Sequence, residues 1–407
     1  MNKVLSLRPA EKAELDAGFQ NAFGALPARY FSAPGRTEIS GNHTDHQRGC
    51  VLAAAVDLHT RAAVRPNGGQ TVRVQSRDYP LAEIMLTDLS PVEAEKNTTA
   101  ALIRGVAARF AQLGCPVGGF DAYIESSVLP GSGLSSSAAF EVLLGTVINH
   151  LFFDGKATQP EIAQIGQYAE NVYFGKPCGL MDQMASAVGG MVHIDFGDKE
   201  NPVITPLEFD FSQTGYALCI IDSGADHADL TEEYAAIPAE MQAVSRFFDK
   251  EVLREVAEEE FYVNLPAVRE RCGDRAVLRA MHIFGENRRV TQQTEALQAG
   301  DFGEFLRLVN ESGKSSWLYL QNVLPTGATE NQAVAVTLAL CEKYLAGRGA
   351  CRVHGGGFAG TVQAYVPREL VEDFRENMEK TLGKGACHIL SICPLGGVEA
   401  VIPSETK

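Results

Sequence analysis

The sequence predicts a mixed α/β or α+β protein of two or three domains, on three observations. Its 407 residues allow two or three units at roughly 100–200 residues each. Hydrophobic residues make up 45%, enough apolar material for a packed core. Apolar patterns of period two and of period three-to-four alternate along the chain, and no fixed-period repeat appears, which excludes a solenoid or an array.

Taken in order, residues 51–57 (VLAAAVD) and 71–76 (TVRVQS) read as strands, the second by its alternation. Between Thr98 and Leu113, the residues Leu102, Val106, Phe110 and Leu113 share one helical face, and Gly114 supplies the stop. Residues 120–126 (FDAYIES) read as a strand that runs into LPGSGLSSSAAFEVLLGTVINHLF. There Ala138, Ala139, Val142, Leu143 and Val147 recur at helical spacing, so a glycine- and serine-rich loop feeds a helix N-terminus. A helix follows at 160–174 and a strand near 189–196. The polar, turn-rich segment 197–215 carries the expected domain boundary, giving units 1–205 and 206–407. Beyond it come the strand YALCIIDS, charged helices to about residue 325, a helix through the 330s and 340s, a strand pair around CRVHGGGFAGTVQAYVP, and a helix RELVEDFRENMEKTL.

Charge narrows the partners. Lysine plus arginine number 35 against 51 acids, a formal net charge of −16. Binding to nucleic acid depends on basic groups that displace counterions from phosphate, and an anionic membrane surface would repel this chain. Nine cysteines, an odd number with no Cys-x-x-Cys pair, fit free thiols in a reducing compartment. The opening segment MNKVLSLRPAEKAELDAGF meets charges before an apolar run reaches signal-peptide length. No window approaches about 18 uninterrupted apolar residues, so a cytoplasmic location is expected.

Four segments carry candidate chemistry. In LPGSGLSSSAA (129–139), glycines allow close backbone approach, the amides of a helix start attract anions, and serine hydroxyls can take phosphate oxygens or magnesium. Its bland reading is a serine-capped loop. It is not a Walker A loop, because Gly313-Lys314-Ser315 is the chain's Gly-Lys-Ser and Leu308 stands where that loop needs glycine. HGGGFAGTV (354–362) matches Gly-x-Gly-x-x-Gly through Gly355, Gly357 and Gly360, yet it leads into a strand near the chain's end, which a dinucleotide fold excludes. A protein-kinase loop is excluded by motif order, since Asp195-Phe196-Gly197 precedes the glycines and no His-Arg-Asp occurs. What remains is a close backbone approach or a tight turn. APGRTEISGNHTDHQRG (33–49) gathers Arg36, Glu38, Asn42, His43, Asp45 and His46 before an apolar strand, as a ligand site or a solvated loop would. A dinuclear metallohydrolase would want a histidine where Gly41 stands. Finally, Asp182 in GLMDQ has apolar and small neighbours; an aspartate there is an N-cap or a functional base, because burial is costly without a partner.

Together Gly35-Arg36 with His43-Thr44-Asp45, then LPGSGLSSSAA, PCGLMDQ and HGGGFAG, stand in the order found in galactokinases of the GHMP small-molecule kinase superfamily. RAMHIFGENRRV (279–290) and LTEEY around Tyr234 also resemble that family, so the likeness runs from about residue 25 to the end. It implies an α+β fold: a ribosomal-S5-like N-terminal domain and a ferredoxin-like C-terminal domain, with substrates between them. It further implies that Gly131, Gly133, Leu134, Ser135, Ser136 and Ser137 wrap the phosphates of ATP, with Gly356 closing the site from the second domain. Ser136 and Glu170 would hold Mg2+, Asp182 would take the proton from a sugar's anomeric hydroxyl, and Arg36 would stand beside it. Asn42, His43, Asp45 and Tyr234 would meet the sugar.

The departures concern the sugar. Galactokinases usually read Gly-Arg-Val-Asn-Leu-Ile-Gly-Glu-His-Thr-Asp-Tyr, and this chain reads GRTEISGNHTDH from Gly35 to His46. Asn42 thus replaces a glutamate that meets the exocyclic hydroxymethyl group, removing a like charge that would repel a carboxylate there. Asp45 to Gln47 also resembles plant galacturonate kinases. The reading is a galactose kinase, with a kinase of galacturonate or another galactose-like sugar as the alternative. A silent sugar sensor on the same fold is disfavoured because Ser135 to Ala139, Arg36 and Asp182 are all present. Gly313, where galactokinases usually have histidine, has no reading from sequence.

Overall fold

The computed structural model describes residues 5–128, 133–176, 178–198, 201–225 and 230–402. Among the described residues twelve strands are formed in chain order: β1 (Arg29–Ser40), β2 (Cys50–Pro66), β3 (Thr71–Ser76), β4 (Ala82–Met85), β5 (Phe120–Ser126), β6 (Met191–Asp195), β7 (Val203–Leu207), β8 (Tyr216–Asp222), β9 (Ala350–Val353), β10 (Thr361–Pro367), β11 (Cys387–Leu390) and β12 (Val398–Ala400). They make two sheets. The first runs β12-β1-β2-β5-β3-β4, with β6 also on β2 and β7 on β6. Only β3 and β5 pair in parallel there.

β1 is buried along nearly its whole length. Phe31 and Ala33 pack into the core beneath the helices, while Ile39 belongs to a second core. A strand covered on both faces loses its alternation, and β1 also carries buried Ser32, Arg36, Thr37, Glu38 and Ser40. Its register against β2 shifts between Pro34 and Arg36 and again between Glu38 and Ser40. Such irregularities re-aim side chains, and these two bracket Arg36.

The second sheet is β11-β8-β10-β9, antiparallel throughout. Reading β8, the helix Ala333–Leu345, β9, β10, the helix Val371–Leu382 and β11 in order gives β-α-β-β-α-β, a ferredoxin-like arrangement. The helices between Thr231 and Ser315 are inserted between its first strand and first helix. One core joins the halves: Leu52, Ala54 and Val56 of β2 pack with Leu218 and Ile220 of β8 and with Val290 and Val309. The boundary expected at 205/206 cuts β7, which belongs to the first sheet. The tail also returns there, pairing Tyr30 with Ala400. A three-residue strand is too short to announce itself by pattern.

Candidate active site

Arg36 leaves β1 between the two register shifts and points at the helix Met181–Val188. Its Nε donates to Asp182 Oδ1 and its Nη2 to Asp182 Oδ2, both at 2.7 Å. This two-point fork is the strong form of a charge-assisted pair. Nη1 donates to the Gly133 carbonyl, and the Arg36 amide donates to the Leu134 carbonyl at 3.1 Å. The arginine thus fixes the carboxylate and the glycine-serine loop together.

Gly131 lies outside the described residues. At Gly133, φ is +71°, and an added Cβ would stand 2.9 Å from Thr361 Oγ1 and 3.1 Å from His354 Nδ1. Both the backbone angle and the crowding require glycine. Leu134 is fully buried and anchors the loop. Ser135 caps the helix Ser136–Phe152 with φ +56°, a left-handed conformation for a non-glycine residue. Its hydroxyl donates to Asp182 Oδ2. The first amides of that helix have no carbonyl within the helix, and no acid occupies its first turn, so this end favours an anion.

Asp182 has 31% of its side chain exposed. Burial raises its carboxyl, but the charge and hydrogen bonds of Arg36 and the Ser135 hydroxyl outweigh burial and hold it below the usual carboxylate range. It is ionised at neutral pH and partly open to solvent.

Gln183, next in the chain, donates to Glu170 Oε2 at 2.8 Å and to Glu141 Oε2 at 2.9 Å. Glu170 sits in a π-helical turn, Ala169–Phe174, a local departure often found at working sites. Ser137 Oγ donates to Glu170 Oε1 at 3.3 Å. The serine that the structure brings to Glu170 is therefore Ser137, next to the expected Ser136. Glu141 is fully buried, and its carboxyl is pushed well above the usual range by burial and then by the charge of Glu170. Carboxylate and hydroxyl oxygens suit Mg2+, which is normally held by one or two carboxylates with substrate phosphates and water. Among the described residues no group of three or more His, Cys, Asp or Glu is arranged to hold an ion by itself.

The residues expected to meet a sugar contact the second domain. His43 Nε2 hydrogen-bonds the Gly356 carbonyl at 3.0 Å, and Tyr234 Oη donates to the Gly357 carbonyl at 2.7 Å. A Cβ on Gly356 would stand 2.8 Å from Tyr234 Cε1. Gly356, expected at the nucleotide, thus packs against His43 and Tyr234; His354 is the member of its motif that meets the glycine-serine loop, at Gly133. Asp45 lies against the segment that leads into the helix carrying Asp182, since a Cβ on Gly179 would collide with Asp45 Oδ2.

Asn42, expected to face the sugar's exocyclic carbon, is fully buried. Its Nδ2 donates to Glu38 Oε1 at 3.2 Å and to the Gly355 carbonyl at 2.6 Å. Its Oδ1 accepts from Asn322 Nδ2 at 2.8 Å and Ser316 Oγ at 3.3 Å. It braces the wall from behind, and Glu38 is ion-paired with buried Arg352. Gly313 has its explanation in the same place: a Cβ there would lie 3.0 Å from the Cys351 carbonyl oxygen and 3.2 Å from Arg352 Cβ. The helix Phe302–Ser315 can therefore approach β9 closely.

Sequence reasoning missed Gln183, Glu141, His354 and the Glu38–Arg352 pair. Glu141 carried a signal, as a lone acid within the apolar helix sequence AAFEVLL. His354 carried none: it bonds Thr37 Oγ1 at 3.0 Å and Thr361 Oγ1 at 2.9 Å, across 317 residues in the first case.

Comparison with known proteins adds the following. The family described as "GHMP kinases N terminal domain" matches residues 101–190, and the "Galactokinase galactose-binding signature" matches residues 17–66. The chain is similar to the Lactococcus lactis galactokinase complexed with galactose, with 25% identity and TM-score 0.81 over 95% of this chain and 99% of that one. Its fold also matches L. major mevalonate kinase in complex with R-mevalonate, at 15% identity and TM-score 0.60 over 91% and 99%. The Methanococcus jannaschii mevalonate kinase matches at 13% identity and TM-score 0.62 over 90% and 98%. Among the described residues no helix is long and apolar enough to cross a membrane.

Proposed function

The chain belongs to the GHMP kinase superfamily as a sugar kinase of the galactokinase type, and from that premise we propose that it moves the γ-phosphoryl group of ATP to the anomeric hydroxyl of galactose. The observation that carries the proposal is the Asp182 carboxylate, forked by Arg36 and bonded by Ser135 at the open end of the helix Ser136–Phe152.

In this reading the anomeric oxygen attacks phosphorus while the bond to the ADP oxygen breaks, and Asp182 accepts the hydroxyl proton. A carboxylate held low is a weak base, which suits a loose transition state in which the proton leaves late. Its larger task is to orient the hydroxyl. Arg36 keeps Asp182 ionised and lies where charge develops on the transferring group. The amides of Ser135 to Ser137 receive phosphate oxygens. Glu170, with Ser137 or Ser136, would hold Mg2+, which when bound supplies neutralisation of phosphate charge. His43, Asp45 and Tyr234 hold the sugar.

A neutral hexose is favoured over a uronate. Arg352, the cation beside Asn42, is buried and committed to Glu38, and Gly355 and Gly356 present carbonyl oxygens. Among the described residues a carboxylate on the exocyclic carbon would find those acceptors and no cation free to pair with it. Incubation of a monosaccharide panel with Mg-ATP, scored by ADP release, tests this: kcat/KM is expected to be highest for galactose and at least tenfold lower for galacturonate. Turnover of galacturonate equal to that of galactose would overturn the assignment of the sugar.

A further inference from the structure

Lys176 follows the glycine that ends the π-helical turn bearing Glu170. Gly175 has φ +87°, and the amides of Gly175 and Lys176 both donate to the Glu170 carbonyl, at 3.0 and 3.2 Å. The backbone thus sets Lys176 beside Glu170 whatever its side chain does. Its Nζ stands 3.5 Å from Glu170 Oε1, the oxygen that also accepts from Ser137 Oγ at 3.3 Å. One carboxylate oxygen therefore separates this ammonium from the first turn of the helix Ser136–Phe152. The carboxylate is buried, with 4% of its side chain exposed, while the lysine side chain is 63% exposed. Its charge reaches the floor of the site, where it helps hold Asp182 low.

We propose that Lys176 is a nucleotide-binding residue that contacts a phosphate oxygen of ATP as the nucleotide sits at the start of the helix Ser136–Phe152. Two carboxylates, Glu170 and Asp182, stand at this end of the site with the buried Glu141 behind them, and the fork of Arg36 is already spent on Asp182. A polyphosphate arriving there meets repulsion that an additional cation offsets. A long, exposed ammonium suits the task, because it can leave Glu170 when that carboxylate binds Mg2+ and follow the phosphate. Lys96 marks the limit of the idea. Its Cδ lies 3.5 Å from where a Cβ on Gly175 would be, but its ammonium is paired with Glu93 at 2.8 Å.

This inference rests on the phosphoryl-transfer reading, so its test measures nucleotide binding without sugar. Calorimetry of Mg-ATP binding to Lys176→Met is expected to give an affinity about tenfold weaker than wild type, with the difference shrinking at high ionic strength. Lys176→Arg should recover most of the loss, and Lys96→Met, with the same change of net charge, should stay within twofold of wild type. In turnover, Lys176→Met should raise KM for Mg-ATP and leave KM for the sugar within twofold. An affinity for Lys176→Met within twofold of wild type, or a loss equal to that of Lys96→Met, overturns the role of Lys176. Absence of sugar turnover by the wild type would instead overturn the proposed reaction, and the calorimetry would still decide the lysine.

Discussion

Replacing Asn42 by glutamate puts a second acid beside Glu38 and asks where the negative charge of this buried network belongs. Asn42 Nδ2 now donates to Glu38 Oε1 at 3.2 Å and to the Gly355 carbonyl at 2.6 Å. Burial raises the carboxyl of Glu38, against the pull of the ion pair with Arg352. A carboxylate at position 42 gives up both donations. Two unit charges about 4 Å apart repel by about 4 kcal/mol at an effective dielectric of about 20, and an unpaired carbonyl adds about 1 kcal/mol. Proton uptake by the pair relieves part of this, so Asn42→Glu should lose about 2–4 kcal/mol of stability at pH 7.5. The sign with pH follows: a shared carboxyl whose folded pKa lies above its unfolded value is content when protonated, so the deficit shrinks as pH falls and grows as pH rises. Glu38→Asn strands Arg352, which has no exposed side-chain surface, at a cost of about 3–5 kcal/mol. The exchange Glu38→Asn/Asn42→Glu removes the repulsion and should lose at least about 2 kcal/mol less than the sum of the singles. Urea unfolding followed by the fluorescence of Trp317, the one tryptophan in the sequence, at pH 5.5 and 7.5, reads all three variants. A pH-independent loss for Asn42→Glu, or additivity in the double mutant, would refute the reasoning.

Asp182→Asn should lower turnover by about 10²–10⁴ while Mg-ATP affinity stays within a few-fold; near-normal turnover would dispose of its role as base. Glu170→Gln should raise the magnesium concentration needed for half-maximal activity by tenfold or more, and an unchanged magnesium titration would remove Glu170 from the metal site. Burial, with a smaller push from His46 in one case and Arg61 in the other, moves His43 and His59 down to about 4. Their contribution to stability is then fully present above the ordinary histidine pKa of about 6.5 and is lost as pH falls toward 4. The expected slope is up to about 1.4 kcal/mol per pH unit for each proton taken up on unfolding, and a flat unfolding free energy between pH 4.5 and 6.5 would contradict it.

Elements whose pattern is local were legible along the chain. The strands Thr71–Ser76 and Phe120–Ser126 and the helix Thr99–Gln112 lie where periodicity puts them, because each shows one apolar face to one core. The glycine- and serine-rich run leads into a helix at Ser136 because its small residues give way to apolar ones at helical spacing. β1 escaped that logic. It is buried on both faces and studded with polar side chains whose partners are hundreds of residues away, such as His354 for Thr37 and Arg352 for Glu38. Folding alone joins Ser137 to Glu170 and turns Asn42 inward to brace Gly355, whereas the contact of Arg36 with Asp182 across 146 positions is one that the family resemblance already implied. The physical reason is that a residue type fixes which bonds a side chain can make, while which of them it does make depends on what the folded chain brings within about 3 Å, and spacing along the sequence carries no record of that distance.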